Sequence, residues 1–398
     1  MNPYTILGIS LIIGIFFAIL SERIKMPSVA GYIIAGIIFG QILNIFKINV
    51  MSELDIFSTV ALGFIAFIVG GELKIKNIRH LGASIMWIVL FETTTAFILV
   101  TAVTMLLTNN FALSLILGAV SAATAPAATV MVVEQYRTKG DLTTTLLAVV
   151  GLDDGAALII YSFAIAIAKV IVVPGAQLSF FTIVVHPLWE IIGSLILGAI
   201  FGWLYGYYIR HRHGSRMEFV SMATGIVFLI IGVDRFFHFS GILSNMAFGF
   251  VLTNYAPHNS NRVFRGIKEI TPSIYILFFV LAGTKLDITL LPSIGLLGAA
   301  YLVFRIVGKV SGASLGAVIG KAPDVVKRYI GYGLLSQVGI AIGLAVVIFH
   351  QLSDFGKVGY QMANIVINIL LVTTIFTEVL GPSMLKYAFT KADEIGKA

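Results

Sequence analysis

Apolar runs of about 18 residues or more recur from one end of this chain to the other, each long enough to cross the roughly 30 Å hydrocarbon core of a bilayer as a helix. Backbone groups in lipid must be satisfied internally, and runs of this length are too long for barrel strands. The pattern therefore predicts an all-α polytopic membrane protein. Composition agrees: 58% of the 398 residues are hydrophobic and 11% are charged, against roughly 25% charged in soluble domains. Windows of about 19 residues place thirteen transmembrane helices at roughly 4–20, 28–46, 55–71, 82–107, 111–134, 142–169, 188–209, 217–233, 240–255, 270–285, 293–320, 326–349 and 358–385. The first run has no basic segment before it and no small-residue cleavage site after it, so it is expected to stay as a helix. With no cysteine in the chain, disulfides, thiolate metal sites and thiol catalysis are excluded.

The formal charge of +7 would suggest nucleic acid in a soluble protein, so the placement of the charges decides. With the N-terminus outside, nineteen of the 26 Lys and Arg fall in segments on the cytoplasmic side, five fall on the other side, and only Arg305 and Lys309 lie inside a span. That bias predicts an N-out, C-in topology. The basic residues are scattered over seven short loops with no basic domain on which a duplex could lie, which removes nucleic acid as a partner. The expected partner surface is the lipid bilayer, and no fused soluble regulatory domain is expected.

A shift of 213 residues aligns the first half of the chain with the second: Gly36 falls on Gly249, Gly70 on Gly283, Gly82 on Gly295 and Gly118 on Gly331. In the predicted topology the first copy starts in the cytoplasm and the second outside, so the repeats are inverted, the usual construction of secondary transporters with one midplane site. Breaks at matching positions point to that site. Span five contains Thr124-Ala125-Pro126, and the same shift lands on Gln337 and Gly339 in span twelve, beside Ser336. Proline removes a backbone donor and clashes with the preceding turn. Two discontinuous, crossing helices are expected, whose half-helix ends can offset a bound charge.

Few ionisable residues lie deep in the spans: Glu92, Asp153, Asp154, Arg305 and Lys309, with Glu378 nearer the cytoplasmic end. Each is a functional hypothesis by default, because charge in the bilayer is costly. Asp153 and Asp154 sit about a dozen residues into span six, about 18 Å from its end at 1.5 Å per residue. Neighbours on a helix point about 100° apart, so one can face a water-filled cavity while the other turns towards a basic partner. Oxygen ligands suit a small hard cation, and burial beside a like charge raises carboxylate pKa values. Proton and cation would then compete for one site, which is an exchange mechanism. Glu92 and Arg305 are themselves separated by 213 residues and carry opposite charges; they are expected to form a symmetry-related ion pair or to take separate partners at equal depth. Glu378 is read as a helix-end residue near water, and His238, His258 and His350 as ordinary loop residues.

The segment Ser121-Ala-Ala-Thr-Ala-Pro-Ala-Ala-Thr-Val130, the Asp153-Asp154 pair, the early glycine-rich stretch from Pro27 to Gly40 and Gly308-Lys309-Val-Ser-Gly312 together resemble the monovalent cation:proton antiporter-2 family, especially its sodium/proton members. The resemblance implies a thirteen-helix homodimer. Its mobile core would be 82–169 and 293–388, its dimerisation panel 1–81 and 170–292, with 389–398 a short cytoplasmic tail. It further implies that Asp154 binds the cation while Asp153 pairs with Lys309, that Lys309 is a possible second proton carrier, and that a chain with both aspartates exchanges electrogenically. The expected cargo is sodium, with lithium, against protons; no cofactor is implied. Three other readings stay open: a potassium/proton antiporter of the same family, a cation channel, and a sodium-coupled solute symporter. No nucleotide motif, nucleophile triad or metalloenzyme spacing appears, so an enzyme is not expected.

Overall fold

The computed structural model describes residues 3–23, 28–43, 48–75, 82–125, 129, 132–133, 136–172, 185–212, 214–284, 291–337, 340–353 and 356–397. Fourteen α-helices run through them: α1 (Pro3–Arg23), α2 (Ser28–Ile37, continued by a π-turn at Ile38–Ile42), α3 (Ile48–Glu72), α4 (Ala83–Thr108), α5 (Phe111–Ser121), α6 (Asp141–Val172), α7 (His186–His211), α8 (Arg216–Phe237), α9 (Gly241–Tyr255), α10 (Pro257–Thr284), α11 (Leu291–Ile319), α12 (Asp324–Tyr329, continued by a 3₁₀ turn at Ile330–Leu334), α13 (Ile340–Ser353) and α14 (Gly356–Lys391). No strand occurs among the described residues. Eight of the helices are long and apolar enough to cross a membrane, and four shorter apolar helices occupy 30–40, 56–72, 111–121 and 341–353. Large apolar side chains such as Leu106 (85% exposed) and Leu296 (73%) stand on outer surfaces, as lipid requires. This is an integral membrane protein.

Local sequence explains where the helices start and stop. Asn109 closes α4 in a left-handed conformation, and the side chain of Asn110 accepts the amide of Leu113 to open α5, an orphan-donor cap. Ser215 and Ser240 cap α8 and α9 in the same way.

The chain forms two compact units, each built from two separate stretches: Met1–Lys76 with Val184–Lys285, and Asn77–Ile183 with Leu286–Ala398. In the first unit the 213-residue repeat is visible as backbone geometry. A Cβ added to Gly36 would strike the carbonyl of Val280, and one added to Gly249 would strike that of Phe67; Gly283 is opposed in the same way by Ile33, and Gly70 by Met246. Each contact maps onto the other by the same shift, so α2 against α10 is repeated by α9 against α3. Close approach of helix backbones needs a residue without a side chain, as in small-residue packing in membranes. Phe67 fills the layer beside these contacts, stacked on Phe264 at 4.8 Å and tilted against Phe248 at 4.6 Å between ring centres.

In the second unit the tightest pair is α4 with α11. Gly308, Gly312, Gly316 and Gly320 recur every fourth residue and lie against Ala96, Glu92, Ile88 and Ser84 in turn. One series rises as the other falls, so the two helices, equivalent by the repeat, run antiparallel. That is the inverted arrangement expected from the sequence. A Cβ on Gly308 would sit 2.6 Å from the Cα of Ala96. Below this seam, Ile85 and Ile88 of α4, Leu146 and Val149 of α6, Ala317 of α11, Ile330 and Leu334 after α12 and Phe389 of α14 form one buried cluster.

Candidate functional site

The two helices expected to break do so at equivalent places. α5 ends at Ser121 and the 3₁₀ turn after α12 ends at Leu334, residues that differ by 213. Beyond them the chain is non-helical over 123–125 and 335–337. The two open segments touch: the amide of Ala125 donates to the carbonyl of Ser336 at 3.0 Å. Pro126 and Gly339, to which sequence assigned the breaks, lie outside the described residues. Thr124 and Ala125 are buried, as are Ser336 and Gln337. Gln337 donates through Nε2 to the hydroxyl of Tyr301 (2.7 Å) and the carbonyl of Val120 (3.1 Å).

Helices that stop in the interior leave carbonyls without partners, and Arg305 supplies them. Its guanidinium donates to the carbonyls of Ser121 (3.2 Å), Ala123 (2.8 Å) and Leu335 (2.7 Å), with Ser336 at 3.5 Å. One planar fork from α11 thus ties both breaks together. Lys309, one turn further along α11, donates to Glu92 Oε2 (2.5 Å), Thr124 Oγ1 (2.9 Å) and the carbonyl of Ala122. Both cations are fully buried. They bring positive charge to the C-terminal ends of the broken helices, where the macrodipole favours it.

Lys309 makes the ion pair with Asp153 that the resemblance implied, to Oδ2 at 3.6 Å, and adds an acid that it did not, Glu92, which is its hydrogen-bonded partner. The cause is the seam between α4 and α11. Glu92 packs against Gly312, where no side chain intervenes, so its carboxylate meets Lys309 three residues earlier. Glu92 and Arg305 accordingly take separate partners, the second of the two arrangements the sequence allowed.

Asp153 and Asp154 lie on α6 and are 0% exposed. Thr124 neighbours both of them. Neither oxygen of Asp154 has a hydrogen-bond partner, and Asp154 forms no ion pair among the described residues. Glu378 requires a correction. It lies inside α14, which continues to Lys391, and is 3% exposed, so it is not a helix-end group in water. Neither its burial nor the role of Tyr301 had a local sequence signal; both follow from which face of a helix meets the breaks. Among the described residues no cluster of three or more His, Cys, Asp or Glu side chains could hold a metal ion. The chemistry available is a group of enclosed carboxylates beside two broken helix ends, among which Asp154 has neither an ion pair nor a hydrogen bond on either oxygen, a setting for a singly charged cation or a proton.

No curated protein matches this chain. The fold is similar to that of MjNhaP1, a sodium proton antiporter from Methanocaldococcus jannaschii. Its structure at pH 8 gives a TM-score of 0.81 at 16% identity, over 98% of either chain. A second structure of that antiporter, from electron microscopy, gives 0.77 at 16% identity over 98% of this chain and 96% of the other. A family profile described as sodium/hydrogen exchanger, transmembrane, matches residues 8–391. With that match over nearly its whole length, this chain belongs to the sodium/hydrogen exchanger family, a family of cation/proton antiporters and not of enzymes.

Proposed function

We propose that the protein exchanges sodium, and with it lithium, for protons across a membrane, and that Asp154 is the group for which cation and proton compete. The observation that carries this reading is the Asp154 carboxylate, 0% exposed with both oxygens free of hydrogen bonds. An ionised carboxylate in such a place is strongly disfavoured unless a proton or a cation joins it. Either occupant restores the balance, and the first excludes the second. Asp153 lends negative charge to the same site and is paired with Lys309, while Thr124, Ala125, Ser336 and Gln337 line it from the two breaks; Pro126, expected from the sequence to line it as well, lies outside the described residues.

In this reading the unit of Asn77–Ile183 with Leu286–Ala398 is the moving core. The other unit is a panel through which two copies dimerise, and access alternates by an elevator-like displacement. Membership of the antiporter-2 branch, the N-out and C-in orientation in a prokaryotic plasma membrane, and electrogenic exchange belong to the same proposal. One net charge per cycle is worth about 2.3 kcal/mol per 100 mV, enough to expel sodium against a sizeable gradient.

The test uses everted membrane vesicles with a pH-sensitive dye, to which sodium, lithium or potassium is added. Wild type should dissipate the pH gradient with sodium and lithium, and Asp154→Asn should not. Competition further requires that the apparent affinity for sodium fall about tenfold per unit of pH where the site is mostly protonated. Exchange by Asp154→Asn at the wild-type rate would refute the assignment, and a response to potassium alone would make the cargo potassium.

A further inference from the structure

Four buried carboxylates and two buried cations surround the helix breaks: Glu92, Asp153, Asp154 and Glu378 against Arg305 and Lys309, none more than 3% exposed. With every group ionised, two negative charges would stand without a counter-charge in a dry interior, which is strongly unfavourable. Ion-pair geometry identifies the two. Glu92 and Asp153 both lie within 3.6 Å of the Lys309 ammonium. Asp154 and Glu378 make no ion pair among the described residues, and an enclosed oxygen without a hydrogen-bond partner occurs on all four carboxylates.

Glu378 is aimed at the second break. Thr374, Glu378 and Gly381 recur on one face of α14, four and three residues apart. On that face Thr374 Oγ1 donates to the carbonyl of Gln337 at 2.8 Å, and a Cβ on Gly381 would come 3.0 Å from the amide nitrogen of Ser336. Between them Glu378 faces 336–337. Arg305 of α11 reaches the same break, donating to the carbonyl of Leu335 at 2.7 Å, and is itself shared among carbonyls of both breaks. The acids of α4 and α6 are grouped instead around Lys309.

Lys309 is the obvious rival as carrier of a second proton, and its surroundings argue against that role. An ammonium has three donors, and all three are used, on Glu92, Thr124 and the carbonyl of Ala122. Its donors are thus committed to α4 and to the first break.

We propose that Glu378 is the second proton-carrying group of the exchange cycle, taking up a proton together with Asp154 when the cation leaves and releasing it when the cation binds. With both protons bound, Glu92 and Asp153 balance Arg305 and Lys309 and the core is neutral. With one sodium bound and both protons gone, the core carries one negative charge more, which is the charge difference an electrogenic exchange requires. The inference rests on the reading of Asp154 as the cation site.

The experiment measures radioactive sodium flux and proton flux in liposomes of the purified full-length protein, with and without an imposed membrane potential. Wild type should move two protons per sodium and respond to the potential. Glu378→Gln should still exchange, with one proton per sodium and no response to the potential. Glu378→Asp, which keeps the carboxyl but withdraws it by one methylene, should keep the two-proton ratio with its pH dependence displaced; an undisplaced profile would overturn the proposal even if the glutamine variant does not fold. A wild-type ratio of one, or a glutamine variant that keeps the wild-type ratio, also overturns it. Asp154→Asn separates the two claims: exchange surviving there removes the cation site, whereas the coupling ratio of Glu378→Gln judges Glu378 alone.

Discussion

Replacing Arg305 by methionine removes the clamp that joins the two breaks while keeping most of the side-chain volume. Three of its hydrogen bonds, to Ser121, Ala123 and Leu335, are 3.2 Å or shorter. A hydrogen bond from a charged donor is worth about 1.5–3 kcal/mol net, so three of them contribute about 4–9 kcal/mol. The freed carbonyls recover part of this by accepting water or shifting, which places the expected loss near the lower end, about 4–5 kcal/mol. At about 2–4 °C per kcal/mol for a unit of this size, the unfolding midpoint in detergent should drop by roughly 10–15 °C, as read by fluorescence-detected size exclusion after heating. Arg305→Lys supplies the control. An ammonium keeps the charge but cannot span carbonyls from two separate segments with a planar fork, so it should recover about half of the loss. A midpoint within about 3 °C of wild type for the methionine variant, or equal midpoints for methionine and lysine, would refute the clamp.

Three further outcomes follow from the packing. Gly312→Val drives a branched side chain into the backbone around Glu92 on α4 and should cost at least about 3 kcal/mol, whereas Gly298→Ala, with open space at its Cβ, should stabilise by up to about 1 kcal/mol; heating the two variants side by side tests the seam. Glu394 caps α6 from the far end of the chain, accepting the amides of Leu142 and Thr143 at 2.8 Å each, so Glu394→Ala should cost about 1–2 kcal/mol, visible as a midpoint lowered by several degrees, and an unchanged midpoint would show the cap to be idle. For the buried pair of Glu92 and Lys309, removing either partner should cost about 3–5 kcal/mol and removing both much less, so a double-mutant cycle with Glu92→Met and Lys309→Met that proves additive would refute the pairing.

The repeat and the breaks were legible in the sequence because they are demands of the backbone. Where two helix backbones touch, glycine is required, so Gly36, Gly70, Gly249 and Gly283 keep their spacing whatever surrounds them. The stretches 111–121 and 324–334 both end in the interior at the same shift. Pairings between side chains were less legible, because they depend on how one helix is rotated against another. The partner of Lys309 could have been inferred from Gly308, Gly312, Gly316 and Gly320, since that stripe sets the register of α11 on α4 and puts Glu92 opposite Gly312. Resemblance pointed to Asp153, whose ion pair with the same ammonium is also present at 3.6 Å. Glu378 was misjudged for a related reason: counting residues to the end of a helix gives its depth, but not whether protein or water lies beside it.

The chemistry does not obey the symmetry that the backbone does. Under the 213-residue shift Asp153 and Asp154 fall on Val366 and Ile367, Lys309 falls back on Ala96, and Glu92 and Arg305 exchange sign. Two inverted copies make a scaffold with two equivalent breaks, and a scaffold with equivalent halves can stand open to either side at nearly equal cost. Were the carboxylates duplicated as well, the two breaks would offer two sites and a continuous polar path. Asp153 and Asp154 are confined to α6 and the counter-charges to α11, so the two halves are chemically unequal around equivalent breaks. A channel needs no such inequality, whereas the proposed exchange does: Asp154 would have to be reached from one side at a time, and never by cation and proton together.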